Sequence, residues 1–280
     1  MTEHLTNYHG KNIHTVRAGS APQTVVLLAG SGILLPHMVY RSLIEPLSEY
    51  YTVLLPSRFG YGLSDVTDAP RNVDAVVEEY RAVLDDLEVS RPVVLAAHSM
   101  GFLEAMYWTQ HYPGEVSALV GIDPATPDSY RDFDMEKAAK QITNLSQKPL
   151  LRKIAADRYC RQLFRQLEIP PERRSDLHAK ALRNFAGPVW AAESEALADN
   201  LAAIAAAPLP RSIPTLFFLS NGKGTSMSSA LWRQHGLDFL GNMVYGEYIL
   251  LDLPHNLHQA APDLIAKKIA AWLRPAAEQE

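Results

Sequence analysis

Short apolar runs rich in β-branched residues alternate with longer segments of helical spacing along most of this chain. Thr24–Ala29, Tyr51–Leu55, Val93–Ala97, Val116–Ile122 and Ile213–Leu219 are almost wholly apolar, the pattern of strands buried on both faces of a parallel sheet. Lys11–Ala18 reads as a further strand, and Gly19-Ser20-Ala21-Pro22 predicts a hairpin joining it to Thr24–Ala29. Pro36–Tyr50, Asn72–Leu87 and Phe102–Tyr112 carry helical spacing; Asn72 is a capping residue type, and Pro113-Gly114 closes the last of them. Beyond Thr225 a helix runs to about Leu240, then a strand from Met243 to Leu251 and a final amphipathic helix from Gln259 to about Leu273.

Strands alternating with helices predict an α/β protein, a mostly parallel sheet with helices on both faces. The alternation breaks once. Between Pro124 and Pro210 the strand signal vanishes into helical, Arg- and Ala-rich sequence that includes Leu201–Ala207. We therefore expect a core of residues 1–123 and 211–280 carrying a helical insertion, 124–210, as a cap. No internal repeat or low-complexity segment is visible.

Composition narrows the class. With 280 residues, 47% of them hydrophobic, there is enough chain for one large core with an inserted subdomain. A net charge of −5 argues against a general nucleic-acid binder. The single cysteine, Cys160, excludes an intramolecular disulfide framework and fits a reducing compartment. The first ten residues have neither a basic nor an apolar signal region, and no apolar run reaches the length of a membrane span. The expectation is a soluble, cytoplasmic protein; the oligomeric state is left open. Charge is unevenly spread, however: Arg131–Phe185 holds 13 Lys/Arg against 7 Asp/Glu. That basic stretch reads either as a solvated helical surface or as a lid that favours anionic substrates or touches an acidic partner.

Candidate chemistry centres on Ala97-His98-Ser99-Met100-Gly101, where the apolar run Val93–Ala97 meets the helix. A serine held between strand and helix in one residue takes a strained backbone, and side chains two positions away on either side would collide across the turn. Small residues, Ala97 and Gly101, stand there. The hydroxyl is then held out above the sheet, and the N–H of Met100 points from the helix's positive end toward any oxyanion forming beside it. The pentapeptide also fits a serine capping an ordinary strand–helix turn.

Ala97-His98-Ser99-Met100-Gly101 resembles the nucleophile elbow of the α/β-hydrolase superfamily, with Ala97 where glycine is commoner. Pro56-Ser57-Arg58-Phe59-Gly60-Tyr61-Gly62-Leu63-Ser64-Asp65 is similar to that family's Gly-x-Gly loop, with Ser57 in the usual place of aspartate. The spacing of Ala29-Gly30-Ser31-Gly32 is not a dinucleotide fingerprint. In the family it corresponds to the turn carrying the second oxyanion donor, here the N–H of Ser31, with Ala29 replacing the common histidine.

The resemblance implies a chain order of serine, acid, histidine. The histidine is His255, on the loop before the last helix, where Pro254 replaces the family's glycine. The usual acid position, after the strand ending at Leu219, holds Gly222-Lys223-Gly224 instead. Asp123, at the end of Val116–Ile122, is the acid that some members use, with Asp252 and Asp238 in reserve. His258 and His98 read as structural, His98 pointing away from the elbow. The spacing of His255 and His258 lacks the carboxylate or cysteine partners of a metal site, so neither metal nor cofactor is expected. Phe102, Tyr130 and Trp190, with His258, could line a pocket or simply pack, as could Tyr107, Phe133 and Phe185.

The implied activity is that of a capped, esterase- or lipase-like serine hydrolase acting on a small-molecule carboxylic ester through an acyl-enzyme. Serine at the elbow speaks against dehalogenases and epoxide hydrolases, which need a carboxylate nucleophile. A carbon–carbon bond hydrolase, an amidase, a cofactor-free perhydrolase or a small-molecule receptor on the same fold stays open, because fold alone decides none of these.

Overall fold

The computed structural model describes residues 1–131 and 133–274. Eight strands form one sheet: β1 (Thr2–Tyr8), β2 (Lys11–Ala18), β3 (Thr24–Leu28), β4 (Thr52–Pro56), β5 (Val93–Ser99), β6 (Val116–Pro124), β7 (Thr215–Leu219) and β8 (Gly246–Leu250). Their spatial order is β1-β2-β4-β3-β5-β6-β7-β8. Every contact from β4 to β8 is parallel, while β2 runs antiparallel to both β1 and β4.

Among the described residues, twelve helices accompany the sheet. On the N-terminal side of the chain are α1 (Pro36–Val39), α2 (Arg41–Leu47), α3 (Val73–Asp86) and α4 (Gly101–His111). Between β6 and β7, after a short 3₁₀ turn at Pro127–Tyr130, come α5 (Met135–Ser146), α6 (Pro149–Gln166), α7 (Pro171–Asn184), α8 (Pro188–Glu195) and α9 (Leu197–Ala206). The remainder are α10 (Ser229–Leu240), α11 (Leu257–Ala260) and α12 (Pro262–Leu273). Among the described residues no helix is long and apolar enough to cross a membrane.

Alternation along β5 shows why its sequence is apolar throughout. Val94 and Ala96 face one core with Leu43, Ile44 and Leu47 of α2 and Ile265 and Ile269 of α12. Val93, Leu95 and Ala97 face the other, with Val77 and Tyr80 of α3 and Phe102 and Met106 of α4. A strand sandwiched in this way has no solvated face on which to place polar residues.

The predicted pairing of β2 with β3 is wrong. β4 lies between them, so that Val53 is the partner of Ala18 on one side and of Val25 on the other. The hairpin is instead β1–β2, with Tyr8 opposite Lys11. Its two turn residues, His9 and Gly10, both have positive φ, 51° and 79°, as a two-residue hairpin requires. The expected helix Pro36–Tyr50 divides at Tyr40 into α1 and α2, and the strand expected at Met243–Leu251 is a shorter, largely exposed edge strand.

The order of strands also fixes where ligands can gather. From β3 the chain crosses to β4 on one side and then returns to β5 on the other. That reversal opens a crevice at the C-terminal ends of β3 and β5, where open parallel sheets bind their ligands.

Candidate active site

Ser99 ends β5 with φ of +52°, a left-handed conformation that a non-glycine residue rarely takes. Gly101 shows why the turn tolerates no side chain there: a Cβ would lie 2.8 Å from the carbonyl oxygen of Leu28 and 2.9 Å from that of Ala29. The elbow is thereby pressed against the end of β3. Gly30, in the turn that follows β3, is equally confined, since a Cβ on it would stand 3.1 Å from Ser99 Cβ and 2.8 Å from His98 Nδ1.

Three of the sequence-predicted residues meet at this place. Ser99 Oγ is 3.0 Å from His255 Nε2, and His255 Nδ1 is 2.5 Å from Asp123 Oδ2. Asp123 is fully buried and, like Ser99, has a positive φ, +53°. Its other oxygen, Oδ1, accepts hydrogen bonds from the Ser220 N–H at 2.7 Å and the Trp232 indole N–H at 2.8 Å. With three donors placed around it, the carboxylate is held in one orientation. The His255 N–H donates to the carbonyl of Lys223 at 2.8 Å, which ties the histidine loop to Gly222-Lys223-Gly224.

The two reserve carboxylates lie elsewhere. Asp252 accepts from the Asn221 side chain, and Asp238 accepts from Gln234 one helical turn away.

Neither the Ser31 N–H nor the Met100 N–H donates to another described residue. The adjacent backbone groups are occupied: the Gly30 N–H donates to the Tyr40 hydroxyl at 3.2 Å, and the Gly30 carbonyl accepts from Arg58 Nη2 at 3.0 Å.

The remaining sequence-predicted residues have quite different surroundings. Phe102 is fully buried and packs edge-on against Phe217 and Phe239, so its ring belongs to the core. Tyr130 packs against Phe133, with burial raising its hydroxyl pKa. Trp190 is half-buried on α8 and lies over Gly32, in contact with Phe185. His258 is buried, stacked on Tyr40 with ring centroids 4.3 Å apart and edge-on to His98 at 4.5 Å. Burial, and then the nearness of His255, pull its pKa down to about 3. It is a neutral packing residue beneath the histidine loop.

His98 projects to the α2 side of the sheet but is closer to the chemistry than its sequence context suggests. It faces the Tyr40 hydroxyl at 3.0 Å and the His255 carbonyl at 3.3 Å. Burial, followed by the neighbouring His258 and His255, lowers its pKa well below the usual histidine value. Two contributors carry no sequence signal of their role: Trp232 reaches the site from α10, and Arg58 from within the Gly-x-Gly loop motif, where nothing marks its contact with Gly30.

Two adjoining cavities lie on the side of the histidine loop; His255 borders the second of them, and Ser99 borders neither. One of 250 Å³ is lined by Gly32, Ile33, Tyr159 and Gln162, among others. The next, of 380 Å³, includes Lys223, His255, Asn256 and Gln259, and Gln166 borders both. A larger cavity of 610 Å³ opens between α5 and α8 but touches none of Ser99, Asp123 and His255.

The profile of a family described as "Alpha/beta hydrolase family" matches residues 25–268. An uncharacterized protein, YbdG, of Bacillus subtilis is 32% identical over 131 residues, 47% of this chain and 40% of that protein. Lipase LipV of Mycobacterium tuberculosis is 33% identical over 115 residues, 41% of this chain and 42% of that protein. The matched segments thus span about two-fifths of these curated relatives. Among solved structures, an esterase from Thermogutta terrifontis superposes with a TM-score of 0.68 at 16% identity, over 97% or more of each chain (98% and 98%). At that identity the likeness is one of fold.

Proposed function

Because this chain belongs to the alpha/beta hydrolase family, we propose that it is a serine hydrolase that cleaves a small to medium carboxylic ester through an acyl-enzyme. The observation that carries this reading is the unbroken line from Ser99 Oγ through the His255 ring to Asp123. A serine hydroxyl is a weak nucleophile near neutral pH, so its proton must pass to a base as the carbonyl is attacked. His255 Nε2 is placed to take it and later to deliver it to the leaving alcohol. Asp123 fixes the tautomer with the proton on Nδ1 and supports the imidazolium that forms.

In the tetrahedral intermediate the negative oxygen falls to the N–H groups of Ser31 and Met100. Loss of one such donor typically costs on the order of 3 kcal/mol in the transition state. Water then attacks the acyl-enzyme with His255 again as base. The helices α5–α9 act as a cap over this face, and the paired cavities beside His255 receive the substrate. Their borders are rich in carboxamides, from Gln162, Gln166, Asn256 and Gln259, which suits an ester with polar substituents.

The printed names of a lipase and an esterase among the similar proteins agree with ester cleavage. The experiment is a panel of nitrophenyl esters of increasing acyl length, run beside the corresponding anilides. Turnover of esters, with a burst of one nitrophenol per Ser99 that Ser99→Ala abolishes, supports the proposal. Turnover of anilides alone, or no turnover by a folded protein, contradicts it.

A further inference from the structure

Resting on that reading, we propose that Glu193 of α8 is a positioning residue that sets the oxyanion donor of Ser31, so that catalysis depends on how this part of the cap is seated.

The chain of contacts is short and buried. Glu193 is 4% exposed although it is a carboxylate on a helix of the insertion. Its Oε2 accepts from the Tyr61 hydroxyl at 2.6 Å, and its Oε1 stands 3.7 Å from Arg58 Nε and from Arg71 Nη2. Tyr61 and Arg58 both belong to the Gly60–Gly62 loop region of the core; the Arg58 guanidinium lies over the Tyr61 ring at 4.8 Å and continues to the turn after β3. Arg58 Nη2 donates to the Gly30 carbonyl at 3.0 Å, while Nη1 holds Glu104 on α4, the elbow helix.

The Gly30 carbonyl and the Ser31 N–H are two ends of one peptide plane. In a trans peptide they point in opposite directions, so holding the oxygen sets the direction of the N–H. A guanidinium on the oxygen also polarises the plane and strengthens the N–H as a donor. With the Gly30 N–H on Tyr40 and the Ser31 N–H donating to no described residue, the Ser31 N–H is left for a developing oxyanion.

Packing ties the same helix to the same turn. A Cβ at Gly32 would lie 3.0 Å from the Trp190 ring, and one at Gly60 would lie 2.6 Å from Val189 Cβ. Val189, Trp190 and Glu193 all belong to α8, which therefore sits directly on the turn and on the loop that restrains it. Lifting α8 would remove the carboxylate from Arg58 and Tyr61 and release the Gly30–Gly32 peptides together.

The test compares Tyr61→Phe, Glu193→Leu and Glu193→Gln with the parent protein. Each is assayed for ester hydrolysis and for inhibition by an alkyl trifluoromethyl ketone, whose serine adduct places an oxyanion at the donors. The proposal expects Ki for the ketone to rise, and kcat to fall, by about tenfold or more in Tyr61→Phe and Glu193→Leu, with KM within about twofold. Glu193→Gln keeps an acceptor for Tyr61 and recovers most of the loss. Parent-like Ki and kcat in folded Tyr61→Phe or Glu193→Leu overturns it, as does a parallel loss in Ki and KM that Glu193→Gln fails to restore. Should Glu193→Leu not fold, Tyr61→Phe carries the test alone. The outcomes separate from those of the underlying reading: a parent protein inert to ester and ketone overturns both, whereas an active parent with parent-like variants overturns this inference only.

Discussion

The Asp123 carboxylate meets the His255 imidazole at 2.5 Å across 132 residues of chain, at the end of a strand neighbouring the one where the family more often places its acid. The usual location instead lends a backbone carbonyl, that of Lys223, to the His255 N–H. Asp123→Asn keeps the shape but favours the wrong histidine tautomer, and should lower kcat by roughly 10⁴-fold. Asp252→Asn and Asp238→Asn, bound to Asn221 and Gln234, should leave turnover near the parent value. A steady-state comparison of the three decides the acid.

Trp232 is expected to matter although it does not touch the serine; its ring stands edge-on to His255, with centroids 5.3 Å apart. Its indole N–H donates to Asp123 Oδ1 at 2.8 Å, inside a site where the carboxylate is fully buried. Trp232→Phe keeps an aromatic ring, though a smaller one, and deletes that donor. A hydrogen bond to a charged group is worth about 1.5 kcal/mol or more, which corresponds to at least about a tenfold loss in kcat. Unchanged kcat in the variant would show that Ser220 alone holds the carboxylate.

Two glycines with different surroundings make a matched pair. At Gly101 an added Cβ meets the Leu28 and Ala29 carbonyl oxygens at 2.8 and 2.9 Å, forcing the elbow away from the turn after β3. Gly101→Ala should therefore cost about 100-fold in kcat, since small misplacements of reacting groups are expensive. Gly114 has φ of +90° and open space around its Cα. Gly114→Ala should lower stability by about 1 kcal/mol through backbone strain and leave kcat intact. Equal effects on activity would refute the assignment of Gly101.

Buried histidines give the fold a predictable acid sensitivity. Burial pulls His37 and His258 down to a pKa of about 3, so both stay neutral in the folded protein where the unfolded chain would protonate. The unfolded state then binds more protons, and stability falls as pH drops from about 6.5, the unfolded value, toward 3. At pH 5 each such group costs about 2 kcal/mol relative to neutral pH. Urea midpoints should decline between pH 7 and pH 5, and His258→Phe should flatten that decline. A parent whose midpoint is constant over this range would exclude the buried-neutral state.

The sequence carries the fold and the site to different depths. Buried strands such as Val93–Ala97 and the strained serine turn are legible because sandwiching and strain each demand particular residue types locally. Pairing is not written in the same way: nothing in Lys11–Ala18 or Thr24–Leu28 says that β4 will come between them, since order across a sheet is settled by long-range packing. His9-Gly10, a turn with positive φ at both positions, holds the true hairpin signal, less conspicuous than the Pro-containing segment from Gly19 to Pro22. Trp232 and Glu193 are hidden for a related reason, and so is the contact of Arg58 with Gly30, although Arg58 lies in the Gly-x-Gly loop motif. Each acts through a partner more than 20 positions away, and each is, in its own segment, an ordinary residue of a helix or loop.

The central claim is that Ser99 is a nucleophile activated by His255. Its most direct test is intact-mass measurement after treatment with a fluorophosphonate probe, on the parent protein beside Ser99→Ala and His255→Ala. The account predicts one adduct on the parent and none on either variant. An adduct that persists in Ser99→Ala, or a folded parent that takes none, would contradict it.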